Sequence, residues 1–203
     1  MSGVILLILF LILSLIIYMD INFIQTLDQL GDSVLRFETS DQLSHVFTEI
    51  TAFADSGNIV FISLILVLFL FVLKKGVAAT WTIGTIIMCG FVSPHLIKLL
   101  IVRERPETGL IYAHGYSFPS GHATMAVVLY GLMIIWSLIF LKSGWKKKLL
   151  TFFLSLLILF IMWSRVYLGV HYISDVIGGL LLGVGQLLIS IGLYWSFQAR
   201  PRG

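Results

Sequence analysis

Apolar residues in this chain come in six blocks of 16 to 26 residues, separated by polar stretches. Runs cover residues 4–19, 58–73, 77–102, 120–141, 149–168 and 173–197. Crossing a bilayer core takes roughly 20 apolar residues in a helix, so the pattern predicts about six spans. The first run has no basic flank before it and no small-residue cleavage pattern after it, so it is expected to be a retained span and not a removed leader. Pro94 interrupts the third run and is expected to kink it. Between the first and second runs, residues 20–57 carry seven of the ten acids, while Leu30, Val34, Leu35, Leu43, Val46, Phe47 and Ile50 recur at roughly helical spacing. This is the pattern of amphipathic helix lying at an interface.

Composition agrees with the pattern. The 203 residues are 59% hydrophobic and 11% charged, with a mean hydropathy of +1.03. These values exclude an ordinary soluble domain. The expected fold class is all-α, a polytopic membrane helix bundle with the amphipathic segment after its first span, and residues 1–203 form a single integral membrane domain. Cys89 is the only cysteine, lies in an apolar run, and is expected to pack. A net charge of +3 comes from residues scattered at span ends without an interleaved aromatic surface, which gives no basis for nucleic-acid binding. No obligatory protein partner is evident.

Charge also sets the orientation. With six spans, Lys74, Lys75, Lys142, Lys146, Lys147, Lys148, Arg200 and Arg202 share one side with both termini. Cytoplasmic loops are enriched in Lys and Arg, so that side is expected to be cytoplasmic and the membrane a plasma membrane. Five basic residues fall on the other side against this bias: Arg36, Lys98, Arg103, Arg105 and Arg165. Their presence there asks for a reason.

The candidate chemistry lies at that outer boundary. In 164–175, Arg165, His171 and Asp175 put a cation, an imidazole and a carboxylate where apolar helices end and begin. If a helix already runs there, His171 and Asp175 share a face, and a carboxylate on one ring nitrogen leaves the other free as base or nucleophile. Taken alone, the stretch is equally consistent with a charge cluster that ends two helices. Topology adds the rest, because Lys98, Arg105 and the Pro119-Ser120-Gly121-His122 turn arrive at the same level. A helix starting near Ser120 offers unpaired amides for an anion, and three cations supply donors suited to phosphate. His122, with no evident carboxylate partner in the sequence, is the better proton donor to a leaving oxygen.

Lys98-x6-Arg105-Pro106, Pro119-Ser120-Gly121-His122 and Ser164-Arg165-x5-His171-x3-Asp175 together resemble the three signature motifs of the type 2 phosphatidate phosphatase superfamily, complete and in order. The resemblance implies a phosphohistidine intermediate on His171, supported by Asp175. It also implies leaving-group protonation by His122 and phosphate binding by Lys98, Arg105, Ser120, Gly121 and Arg165. It implies no metal and no other cofactor. The compact bacterial members it resembles act on phosphatidylglycerophosphate, phosphatidate or undecaprenyl pyrophosphate, which makes a membrane lipid the expected substrate and the outer face the expected site. A lipid phosphotransferase using the same site, or a non-catalytic phosphate-lipid transporter, are the alternatives.

Other polar residues have ordinary readings. Arg103 and Glu104 pair with each other or flank the entrance; the sequence does not choose. His114 lies in the substrate-side loop, within reach of a headgroup. His95 is expected to pair locally in its helix. Trp81 and Tyr167, near span ends, are expected in an aromatic belt.

Overall fold

The structure, a computed structural model, describes residues 1–36 and 39–199. Arg200 and Arg202, assigned above to the inner side, lie outside the described residues. The described residues are helical throughout, without strands: α1 Ser2–Tyr18, α2 Asn22–Leu35, α3 Asp41–Ala52, α4 Ser56–Val72, α5 Gly76–Thr85, α6 Ser93–Ile101, α7 Gly121–Phe140, α8 Trp145–Tyr167 and α9 Ile173–Gln198. Four continuous helical stretches are long and apolar enough to cross a membrane, namely 76–101, α7, α8 and α9. The bent pairs α1–α2 and α3–α4 bring the total to as many as six. Span number and class therefore match the sequence pattern.

Helix α7 is the centre of the bundle, apolar on nearly all sides and packed against α8 and α9. Its buried Trp136 donates Nε1–H to Thr82 Oγ1 at 2.7 Å, which leaves no unpaired polar atom on that side chain. Helices α7 and α9 approach closely because Gly179 faces the start of α7; a Cβ there would lie 2.8 Å from Ser120 O and 2.9 Å from Ala123 Cβ. Small residues at this crossing seat the first turns of both helices side by side. Helix α1 buries Gly3, Phe10, Ser14 and Ile17 and turns Ile5, Ile8, Leu11 and Ile12 outward, as suits a lipid-facing element.

The third span is not simply kinked at Pro94. Residues Ile86–Val92 form a π-helical stretch before the proline, which then sits in the first turn of α6. Proline cannot continue the regular ladder, and the wider turn re-sets the register ahead of it. Ser93 Oγ reinforces the break by donating to Cys89 O and bonding Gln186 Oε1 at 3.0 Å. Cys89 is half-buried in this region.

The segment after the first span is two helices. The chain bends by 100° between α1 and α2, while α3 meets α4 at 42°. In α2, Phe23, Leu30 and Val34 are exposed, whereas Ile24, Asp28 and Gly31 are buried against the bundle. One apolar stripe thus faces outward, as suits a helix bedded in an interface, while the protein-facing side joins Ile24, Leu27 and Leu35 to an acid.

At one end of the bundle lie the α4–α5 turn and the α7–α8 loop, where Lys75 stands 5.1 Å over the Phe140 ring. The 102–120 loop, the α8–α9 connection and the α3–α4 junction lie at the other. Trp81 and Tyr167 differ from the belt expectation. Trp81 donates to Ser190 inside the bundle, and Tyr167 is fully buried, stacked on Phe47 at 4.2 Å.

Candidate active site

The site residues are delivered by helix ends and by the connections that follow α6 and α8. Lys98 comes from the last turn of α6, which Val102 terminates in a left-handed conformation, φ +51°. That turn is unfavourable for a β-branched residue. It sends the chain back across the bundle so that Arg103 and Arg105 point inward. Arg165 lies in the last turn of α8, after which Gly169, φ +65°, makes a tight reversal. A Cβ at Gly169 would sit 2.7 Å from Thr108 O, so glycine is required on both counts. The reversal returns the amides of Val170 and His171 to Arg165 O, each at 3.2 Å, and places His171 beside Arg165.

His171 and Asp175 do not meet as neighbours on a running helix. His171 precedes the α9 N-cap, Tyr172, and Asp175 folds back in a capping turn, accepting from Tyr172 N at 2.9 Å. The same Oδ2 stands 3.4 Å from His171 Nδ1. On the opposite edge of the ring, Arg105 Nη1 is 3.2 Å from Nε2. A guanidinium only donates and a carboxylate only accepts, so the contacts assign the hydrogen to Nδ1 and the lone pair to Nε2. Burial, then the charges of Arg165, Lys98 and Arg105, hold the imidazole well below the usual histidine range. His171 is a neutral ring whose Nε2 lone pair is turned toward the cations.

Lys98, Arg105, Gly121, His122, Arg165 and His171 line one cavity of about 430 Å³. Of the eight residues singled out in the sequence, six thus share a wall. The other two stand behind it: Asp175 under His171, and Ser120 at the α7 cap, where its amide donates to Asp175 O at 3.0 Å and its Oγ takes the Ala123 amide at 3.5 Å. Arg165 is 4% exposed, donates Nη1–H to Thr51 Oγ1 at 2.8 Å, and has a buried Nε with no acceptor among the described residues. Lys98 donates to the carbonyls of Tyr116 and Ser117, and Arg105 to those of His114, Gly115 and Val170. The 114–117 loop is therefore folded over the cations, with His114 and Tyr112 at the cavity's rim.

The sequence missed three participants. Asp55, at the N-cap of α4, accepts from His122 Nε2 at 2.8 Å. His122 does have a carboxylate, supplied from 67 residues away. Arg103 pairs with neither Glu104 nor the entrance; it bridges Asp175 Oδ1 at 2.6 Å and Asp28 Oδ2 at 2.5 Å. Asp55 had one legible signal, its place directly before an apolar run at the outer boundary. Asp28 had none beyond being a polar residue in helical register with Ile24. Among the described residues, no three His, Cys, Asp or Glu side chains are grouped to hold a metal ion.

Known proteins carry the same arrangement of chain. A phosphatidylglycerophosphatase B of Bacillus subtilis is 30% identical over 183 residues, 86% of each chain. A lipid A 4'-phosphatase of Porphyromonas gingivalis is 29% identical over 152 residues, 66% of this chain and 61% of that protein. A putative undecaprenyl-diphosphatase of Escherichia coli is 39% identical over 75 residues, 37% of this chain and 33% of that protein. The crystal structure of a transmembrane PAP2-type phosphatidylglycerolphosphate phosphatase from Bacillus subtilis superposes with a TM-score of 0.86 at 26% identity, covering 99% of this chain and 98% of that one. The PAP2 superfamily model matches residues 54–200, a stretch that contains all three motifs and every residue of the cavity wall named above, and the chain belongs to the PAP2 superfamily.

Proposed function

We propose that the protein removes the terminal phosphate of a membrane lipid, phosphatidylglycerophosphate or a lipid of like headgroup, through a phosphohistidine on His171 and without a metal. That it is a membrane lipid phosphatase follows from its family; the route and the substrate are our reading. The observation that carries the route is the neutral, fully buried His171 with Nδ1 on Asp175 and Nε2 turned toward Arg105 in a cavity walled by three cations.

In the first step the Nε2 lone pair attacks phosphorus in line with the scissile P–O bond. The N–P bond forms as the P–O bond breaks, and charge spreads over three equatorial oxygens. Lys98, Arg105, Arg165 and the first amides of α7 meet that charge. His122 protonates the leaving oxygen. Because Asp55 takes its Nε2–H, the donating position is Nδ1, and the carboxylate stabilises the ring while it is protonated. In the second step water attacks phosphorus, His122 takes its proton, the N–P bond breaks, and inorganic phosphate leaves. Three cations supply the role a metal would otherwise have in neutralising the phosphoryl group.

The cavity opens at the bundle end opposite Lys75 and Lys147. The positive-inside rule then favours an extracytoplasmic site, cytoplasmic termini and a plasma-membrane location. Substrate choice is favoured toward phosphatidylglycerophosphate by the similarity to a protein of that name along nearly the whole chain. The test is a phosphate-release panel in one detergent with phosphatidylglycerophosphate, undecaprenyl pyrophosphate and phosphatidate, with and without chelator. Highest kcat/KM on the first, unchanged by chelator, is expected. Loss of activity on chelation contradicts the metal-free route, and preference for the pyrophosphate overturns the substrate.

A further inference from the structure

Behind His171, on the side away from the cation-walled cavity, three charged side chains form a chain, the carboxylates of Asp175 and Asp28 buried and the Arg103 between them half-buried. Asp175, fully buried, gives Oδ1 to Arg103 Nη1 at 2.6 Å, and Arg103 Nη2 reaches Asp28 Oδ2 at 2.5 Å. Asp28 is 5% exposed and is held further by Ser174, whose amide donates to Oδ1 and whose hydroxyl donates to Oδ2, both at 3.0 Å. Arg103 Nη1 also donates to Ser174 Oγ at 2.7 Å, and its guanidinium lies 4.2 Å over the Tyr172 ring. The connection spans four parts of the chain: α2, the loop after α6, the α9 cap and the α9 first turn.

Two carboxylates on one guanidinium leave these three groups with one net negative charge, set behind a ring whose other edge faces Lys98, Arg105 and Arg165. That placement suits the attack. When the His171 lone pair goes to phosphorus with Nδ1–H retained, the ring acquires positive charge, and only Asp175 faces that nitrogen. An Arg103–Asp175 pair alone is neutral and offers the ring little. We infer that Asp28 is a positioning residue for the nucleophile: it binds Arg103 so that Asp175 keeps its orientation and its net charge toward His171. This makes the seating of α2, whose Phe23, Leu30 and Val34 stripe faces outward, part of the catalytic apparatus. The inference rests on the proposal that His171 is the attacking group.

The test uses the full-length purified protein as D28N, R103K, R103Q, D28N/R103Q and H171Q, with kcat, KM, thermal midpoint and rapid-quench formation of acid-labile phosphoenzyme from labelled lipid. Asn keeps the shape of Asp28 and can still accept from the Ser174 amide, so folding is retained. For D28N, kcat and the rate of phosphoenzyme formation are expected to fall about 10-fold or more, with KM within about 2-fold and the midpoint unchanged. R103K keeps the charge but has one nitrogen where two carboxylates are bridged, and shows the same split between kcat and KM. D28N is expected to add nothing in the R103Q background, because both act through the same guanidinium. A D28N enzyme with wild-type kcat, a loss that tracks the midpoint, or full additivity with R103Q overturns the inference. H171Q separates the two readings: inactive H171Q beside fully active D28N removes only the role of Asp28, whereas active H171Q removes both.

Discussion

The two histidines of the site each hold a carboxylate, and the contrast between the pairs is what the proposed division of labour rests on. His171 and Asp175 are four residues apart and fully buried, with cations on the ring's open side. His122 and Asp55 are 67 residues apart, with side chains 27% and 56% exposed, at the mouth of the same cavity. The first environment disfavours charge on the ring and keeps a lone pair available. The second pairs a partly exposed ring with an anion that stabilises it while it is protonated, within reach of water. In the proposed route, burial and neighbouring charge, not residue type, separate nucleophile from proton shuttle.

The comparison predicts a graded response to substitution. His171→Gln removes the only attacking nitrogen, and phosphate release is expected to fall by about 10⁴-fold or more, with no phosphoenzyme in a quench experiment. His122→Gln leaves the nucleophile in place; kcat is expected to fall by about 10² to 10⁴-fold, and less for a substrate with a more acidic leaving group. Equal loss on good and poor leaving groups contradicts the assignment of His122. Asp55→Asn retains the hydrogen-bond geometry but not the charge, for which on the order of 10-fold to 100-fold is expected, read as kcat against leaving-group acidity.

The smallest effect is in pH. His171 is depressed from the ordinary value near ~6.5 and must be neutral to attack, so its protonation limits kcat/KM only at pH well below that value. The unfolded chain takes up the proton first as pH falls below ~6.5, so this group also lowers stability progressively from there toward its folded pKa. An acid limb of kcat/KM centred at or above 6.5, and traced to His171 by its tautomer-resolved NMR titration, breaks the comparison.

Both histidine pairs lie at one end of a bundle whose middle is held differently. There α7 and α9 meet at Gly183, where a Cβ would lie 2.9 Å from Val127 Cβ, and polar atoms such as Trp136 Nε1 are satisfied one by one. Much of that architecture is legible from a run of letters. Six apolar blocks and three motifs at one boundary point to the bundle and to the residues of the cavity wall. A bilayer imposes length and depth on every span, so residues far apart in sequence acquire a common level before any packing is known. His171 and Asp175 were legible for a simpler reason, being four positions apart.

Only the folded chain decided the rest. Asp55 on His122, Thr51 on Arg165, and Asp28 on Arg103 all come from 20–57, the segment whose helices do not span on their own. Amphipathic periodicity assigns such helices to an interface but not their rotation or their neighbours. In α2 only Phe23, Leu30 and Val34 of the apolar residues face away from the protein, Leu35 packs inward, and the buried side with Ile24 carried Asp28. The membrane places the spanning helices by a rule written in composition. The partners of the interfacial ones are chosen by buried charges that need counter-charges, and those pairings exist only once the bundle has formed.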